Sequence, residues 1–351
     1  MIKSESLRKI LTIAGPVVIA LGLLYLAFRG TDTGEFWSVL RDANYYWLIP
    51  LAFATFLSHW LRAYRWTIFM NAVPGHAGDR FSNNTAFGAL MVGYMVNYAT
   101  TRLGEVVRSV IVSRKEGISF SAVVGTVVLD RVIDVVTLAI ALISVVFIVG
   151  TDDQVLADSV FTPAMERISA VPVYVWLLVS IVAVTIAVLA IRVLTSRSTR
   201  TRSIVRDFRD GLMTIARSDR PVAIALTTIL MWVCYASMAY MPLLVLQFES
   251  SYDISIRMAW IVMNVGALGV VVPTPGGIGS YHYITILIMT AMFAISQADA
   301  AAYAFLTHGA QLVLYTLIGF AYVIYFGMGL RFTRITAEDA EVQDDAATTS
   351  I

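Results

Sequence analysis

The sequence predicts an all-α, polytopic membrane protein, and three observations carry that prediction. The 351 residues are 58% hydrophobic and only 14% charged, with a mean hydropathy of +0.75, more apolar surface than a water-soluble fold of this size can bury. The apolar residues fall in long continuous runs, not in the short alternating segments of a β-barrel. The near-zero net charge of +1 hides a strong segregation of arginine from aspartate between successive loops.

Runs that approach the roughly 20 residues needed to span a bilayer recur at 9–29, 45–70, 121–149, 172–194, 221–248, 256–273, 281–295 and 301–328. They predict about eight crossings in one integral membrane domain over 1–334. Residues 335–351, acidic and small, are expected to form a disordered cytoplasmic tail. The first run follows Lys3, Arg8 and Lys9 but lacks a small-residue cleavage site near Ala27, so it is expected to be an uncleaved helix rather than a signal peptide. Cys234, the single cysteine, excludes an intramolecular disulfide and a cysteine-rich metal site.

Charge sets the orientation. Arg197, Arg200, Arg202, Arg206, Arg209, Arg217 and Arg220 crowd the segment 195–220, whereas Asp152, Asp153 and Asp158 follow the preceding run. The positive-inside rule then places 195–220 and both termini in the cytoplasm of a cell inner membrane. Arg331 and Arg334, just after the last run, agree. Within 195–220 the spacing of Ile204, Val205, Phe208, Leu212, Met213 and Ile215 predicts an amphipathic helix on the inner surface.

Two segments do not read as simple spans. Residues 83–112 are moderately apolar, are interrupted by Arg102, Glu105 and Arg108, and have basic flanks at Arg80 and Arg114-Lys115. Residues 256–295 contain Pro273-Thr274-Pro275-Gly276-Gly277-Ile278-Gly279, which must break a helix, and have acidic flanks. Both are expected to be re-entrant broken-helix hairpins, entering from opposite faces. Such inverted, discontinuous segments point to a transport site.

Charges near the bilayer centre cost about 2.5–3.5 kcal/mol each, so three groups require a reason. His59, Arg62 and Arg65 recur every third residue and share one helix side; Arg62 is expected to hold a ligand, and Arg65 either to do so or to snorkel toward the interface. Asn97, Arg102, Glu105 and Arg108 form the second group, in which Glu105 pairs with one arginine and leaves a guanidinium for bidentate contact with phosphate. Asp130, Arg131 and Asp134 form the third, with Arg131 and Asp134 pairing along the helix and the aspartates receiving an arginine from the first hairpin. Five arginines against three carboxylates predict a net positive intramembrane site suited to an anion.

The run from Pro273 to Gly279 adds backbone that can approach a ligand closely, followed by a helix start at Ser280. With Pro273, Pro275, Gly276, Gly277 and Gly279, the apolar-flanked His282 and His308 complete an expected gate. The sequence lacks a P-loop, an HExxH and a GxSxG motif. No catalytic set, metal site or cofactor is expected.

Arg62-Ala63-Tyr64-Arg65-Trp66, Arg102-Leu103-Gly104-Glu105 with Arg108, Asp130-Arg131 with Asp134, and Pro273 through Gly279 together resemble the flippase-like membrane domain of the lysylphosphatidylglycerol synthase/flippase family. The resemblance covers nearly the whole chain in order. It implies a helical fold with two re-entrant hairpins around a central cavity, and translocation of an aminoacylated phospholipid or, in other members, a polyprenyl-phosphate lipid. It also implies a stand-alone member without the soluble synthase domain. The family usually carries a glutamate at the place of His282 and often an arginine near the place of His308, so a charge pair is replaced here by two histidines.

The expected function is therefore a flippase for an anionic or aminoacylated phospholipid, not an enzyme. The alternatives are a proton-coupled small-molecule transporter and an intramembrane enzyme acting on a lipid-linked substrate. Expected partners are a membrane phospholipid or lipid-linked substrate, a second copy of the chain and a separate lipid-modifying enzyme, with no nucleic acid.

Overall fold

The computed structural model describes residues 4–74, 81–152, 199–270 and 272–328, and every regular element among them is helical. The expected span at 172–194, the acidic residues Asp153 and Asp158, the basic residues Lys3, Arg80, Arg197, Arg331 and Arg334, and the tail at 335–351 lie outside the described residues.

Helix α1 (Ser4–Phe28) turns through 88° into α2 (Thr33–Arg41), which starts where the Asp32 carboxylate accepts the Glu35 N–H at 3.0 Å. Helix α3 (Leu48–Asn71) follows, then α4 (Asn83–Ala99), α5 (Gly104–Glu116) and the long α6 (Phe120–Asp152). After the undescribed stretch come α7 (Thr199–Leu212), the short α8 (Thr214–Arg217), α9 (Pro221–Val245), α10 (Ile256–Gly269), α11 (Ser280–Phe293) and α12 (Gln297–Tyr325).

Among the described residues three helices are long and apolar enough to cross a membrane: α6 over Phe120–Val149, α9 and α12. The bent pair α1–α2 makes a fourth if it acts as one span. The difference from eight expected crossings has physical causes. Helix α3 is long enough, but His59, Arg62 and Arg65 lower its hydropathy. Helices α10 and α11 have 14 residues each, about 21 Å of helix against a hydrocarbon core of about 30 Å. Each of the two predicted irregular segments is a helix, a break and a second helix, the first over α4 and α5, the second over α10 and α11.

The amphipathic segment is helical as its periodicity predicts, and Arg202, Arg206 and Arg209 are exposed. It does more than lie on a surface. Gly211 meets Gly125 of α6 so closely that a Cβ on Gly125 would stand 2.3 Å from the Phe208 carbonyl oxygen. Other contacts use the same device, since close helix approach between lipid-bathed helices depends on small residues. Gly88 and Gly319 seat α4 against α12, and Gly93 and Gly104 seat α4 against α5. Around these contacts one buried cluster gathers Trp66, Phe69, Phe87 and Met91, and another gathers Leu243, Met258, Met289 and Tyr303.

Gly125→Ala places its methyl group against backbone, so it is expected to destabilise the detergent-solubilised protein by about 1–3 kcal/mol. Gly309→Ala in α12, where a Cβ meets nothing within 4 Å, is expected to be neutral or to stabilise by up to about 1 kcal/mol. Paired thermal melts check the contrast.

Candidate functional site

Helix α3 brings His59, Arg62 and Arg65 to the face that packs on α6 and α9. Arg65 is fully buried. Its Nε donates to Asp130 Oδ1 at 3.1 Å, and its Nη2 to Asp130 Oδ1 at 2.6 Å and Asp134 Oδ1 at 2.7 Å. Its Nη1 donates to Thr228 Oγ1 at 3.0 Å. Arg62 gives Nη1 to Asp130 Oδ2 at 3.1 Å and to Asp134 Oδ2 at 2.5 Å, and Nη2 to the Tyr235 hydroxyl at 3.1 Å. Two arginines thus meet two aspartates, α9 supplies further acceptors, and Arg62 Nε has none among the described residues.

This corrects two expectations. Arg65 does not snorkel, because its guanidinium points into the bundle and meets a carboxylate there. The aspartates receive their arginines from α3, not from the first hairpin, because the spacing of three on α3 and four on α6 aligns both pairs across one helix contact. His59 leaves the ionic cluster altogether: its Nε2 lies 2.7 Å from the Tyr315 hydroxyl of α12.

Arg131 sits one residue beyond Asp130 and therefore points elsewhere on α6. It pairs with Glu105 of α5 and reaches Asp134 Oδ2 at 3.5 Å along its own helix. Glu105 also meets Arg108 Nε at 3.3 Å. Arg108 is 1% exposed and lies over the Trp66 ring at 5.0 Å. Trp66 is itself held by its Nε1 donating to Thr126 Oγ1 at 2.9 Å. None of the three Arg108 guanidinium nitrogens makes a hydrogen bond among the described residues. Its compensation is one shared carboxylate and an aromatic face.

The two helix breaks lie beside this cluster. In the first, Asn97 Oδ1 accepts the Gly104 N–H at 2.8 Å, so Asn97 holds the restart of the helix. Arg102 is exposed there, in a left-handed conformation with φ 65°. In the second, Pro273 and Pro275 stop the helix, and Gly276, Gly277 and Gly279 all take positive φ. Gly276 packs on the Tyr98 ring, which a Cβ would approach to 2.4 Å, so the breaks touch. His282 and His308 are buried with ring centroids 4.9 Å apart, and Tyr98 lies 5.6 Å from His308. The two histidines form a contacting pair.

Tyr98, Thr228 and Tyr235 belong to the site without having been singled out from sequence, and Trp66 entered only as the end of the motif that begins at Arg62. For Thr228 and Tyr235 a signal was present: they stand a helical seven residues apart, on one face of the largely apolar α9. Trp66 and Tyr98 look like ordinary apolar filling until the fold sets them against Arg108 and Gly276.

Residues 13–319 match the family described as the lysylphosphatidylglycerol synthase TM region. The chain belongs to that family and is membrane-embedded. A curated relative, the glycosyltransferase AglD of Haloferax volcanii, is 25% identical to it across 96% of the chain. The chain spans 57% of that relative's length. No solved structure matches the chain.

Removing the Asp130 carboxylate leaves two buried arginines competing for Asp134. Asp130→Asn is therefore expected to destabilise the protein by about 3–5 kcal/mol, the cost of breaking a buried ion pair. Glu249→Gln, at an exposed position between α9 and α10, is expected to change stability by less than about 0.5 kcal/mol. Thermal melts in detergent compare the two.

Proposed function

We propose that the protein translocates an anionic or aminoacylated phospholipid, or a polyprenyl-phosphate lipid, between the leaflets of the cell inner membrane. The observation that carries this reading is Arg108: a buried guanidinium whose three nitrogens find no hydrogen-bond acceptor among the described residues and whose ion-pair partner, Glu105, is shared with Arg131. Arg62, Arg65, Arg108 and Arg131 face Asp130, Asp134 and Glu105, so one positive charge is left over. A lipid phosphate supplies the missing charge and the acceptor oxygens that a planar guanidinium binds in pairs.

In this reading α4–α5 and α10–α11 are re-entrant hairpins that enter from opposite faces and complete an eight-crossing topology with both termini cytoplasmic. The contact of Gly276 with Tyr98 makes the two breaks one gate, with Pro273, Pro275, Gly277, Gly279, His282 and His308 on its second side and Asn97 and Arg102 on its first. Membership of the lysylphosphatidylglycerol synthase TM family supports a lipid substrate. No step of bond making is assigned to the site.

Reconstituted in proteoliposomes, the protein is expected to move fluorescent phosphatidylglycerol, its lysylated form or a polyprenyl phosphate across the bilayer. Arg108→Gln is expected to slow that movement about 10- to 100-fold, the equivalent of about 1.4–2.8 kcal/mol and in the range of a hydrogen bond to a charged group. Correctly folded protein that moves none of the three lipids, or an Arg108→Gln variant as fast as the parent, overturns the reading.

A further inference from the structure

A groove of about 410 Å³ opens between α5 and α6. Its wall is a stripe on α6, Val124, Val127, Val128, Val132, Val135 and Val136, completed by Val106 and Ser109 of α5. The spacing of these residues keeps the stripe on one helix face. That face is turned outward, with Val132 at 49% and Val135 at 65% exposure. An outward valine face on a membrane span ordinarily meets bulk lipid and needs no further explanation. This one does, because Glu105 and Arg131, whose paired side chains are 30% and 37% exposed, line it, with their apolar atoms facing the groove.

The depth of that pair matters. The candidate span runs from Phe120 to Val149, 30 residues or about 45 Å of helix, and Arg131 stands about 5 Å of rise from its centre. Half the thickness of a hydrocarbon core is about 15 Å. Arg131 and Glu105 are thus near the bilayer midplane, where an open ion pair is costly. The valine stripe extends from Val124 to Val136, about 18 Å of helix, so it has one apolar arm on each side of the pair.

We propose that this groove holds a hydrocarbon tail of a phospholipid whose phosphate takes Arg131 in place of Glu105. The proposal rests on the reading of the protein as a lipid translocase and adds an entry step: the phosphate is received at Arg131 before it passes to Arg108. The exchange is balanced in charge. Glu105 already pairs with Arg108 at 3.3 Å, so a phosphate on Arg131 leaves no carboxylate without a cation. Arg131 keeps Asp134 at 3.5 Å, which retains its orientation. An apolar arm on either side lets the tail lie toward either leaflet while the head stays at the pair, and this is the geometry that turning a lipid over requires.

The test uses the full-length protein in nanodiscs and phosphatidylglycerol carrying a photoreactive group within one acyl chain, with labelled positions mapped by mass spectrometry. Label concentrated at 124–136 of α6 and at 106 and 109 of α5 is the expected result. Label spread evenly over other outward faces, such as Val222 to Val233 of α9, overturns the proposal. So does an unlabelled groove, the result if a second copy of the chain fills it.

Val128→Trp fills the groove and is expected to lower labelling there about tenfold, the equivalent of about 1.4 kcal/mol. Val222→Trp, outside the groove, is expected to leave it unchanged. Because a tryptophan can unsettle packing, Val128→Phe is measured beside it, and the map on the unmodified protein stands without either variant.

Arg131→Gln is expected to reduce labelling by the phosphatidylglycerol probe but not by an uncharged diacylglycerol with the same chain. Equal loss, or no loss, of both labels overturns the role given to Arg131. Groove labelling in a protein that moves no lipid sinks the translocase reading alone, whereas movement with no groove labelling sinks the groove alone.

Discussion

Asp130 is the residue on which the arrangement depends. It is completely buried on α6, and it accepts from both arginines that α3 brings inward. An arginine at bilayer depth is tolerable only where a carboxylate and further acceptors meet it. Asp130 and Asp134 provide the carboxylates, while Thr228 and Tyr235 on α9 provide one further acceptor to each arginine. Three helices that share little sequence character are thereby fixed in rotation and height. The interaction determines which faces remain for everything else.

What remains is decided by charge. Because two aspartates neutralise Arg62 and Arg65, the excess positive charge of the cluster falls on Arg108 and Arg131, which share Glu105. The residues that look most like ligand binders in the sequence, the paired arginines of α3, are the committed ones. Arg108, one helical turn from Glu105 on α5, has no nitrogen hydrogen-bonded among the described residues. Its place beside Trp66 keeps it buried without quenching its charge.

The helical class, the family and the two broken segments were legible because each rests on local pattern: runs of apolar residues, a helix-breaking Pro-Thr-Pro-Gly-Gly run, and spacings of three and four. The face shared by Arg62 and Arg65 was legible for the same reason. Partner choice was not. Whether Asp130 meets α3 or α5 depends on how three helices cross, and the crossings depend on glycine contacts such as Gly125 with Gly211 and Gly93 with Gly104, whose partners lie in other helices. The shortness of α10 and α11 follows from the Pro273 to Gly279 break that the sequence displays.

The same charge distribution argues for a substrate with both a phosphate and a tail. A site for a soluble anion needs an aqueous approach lined with polar groups, yet the open side of the Glu105–Arg131 pair is a wall of valines. A hydrophobic molecule without charge would fit the valines but would leave the excess guanidinium unanswered. A molecule that satisfies both walls is amphiphilic, with its charge near mid-membrane and its chain along α6. The histidine pair at the second break is consistent with this division. It contributes no carboxylate to compete with a phosphate for Arg108, so the positive excess stays with Arg108 and Arg131.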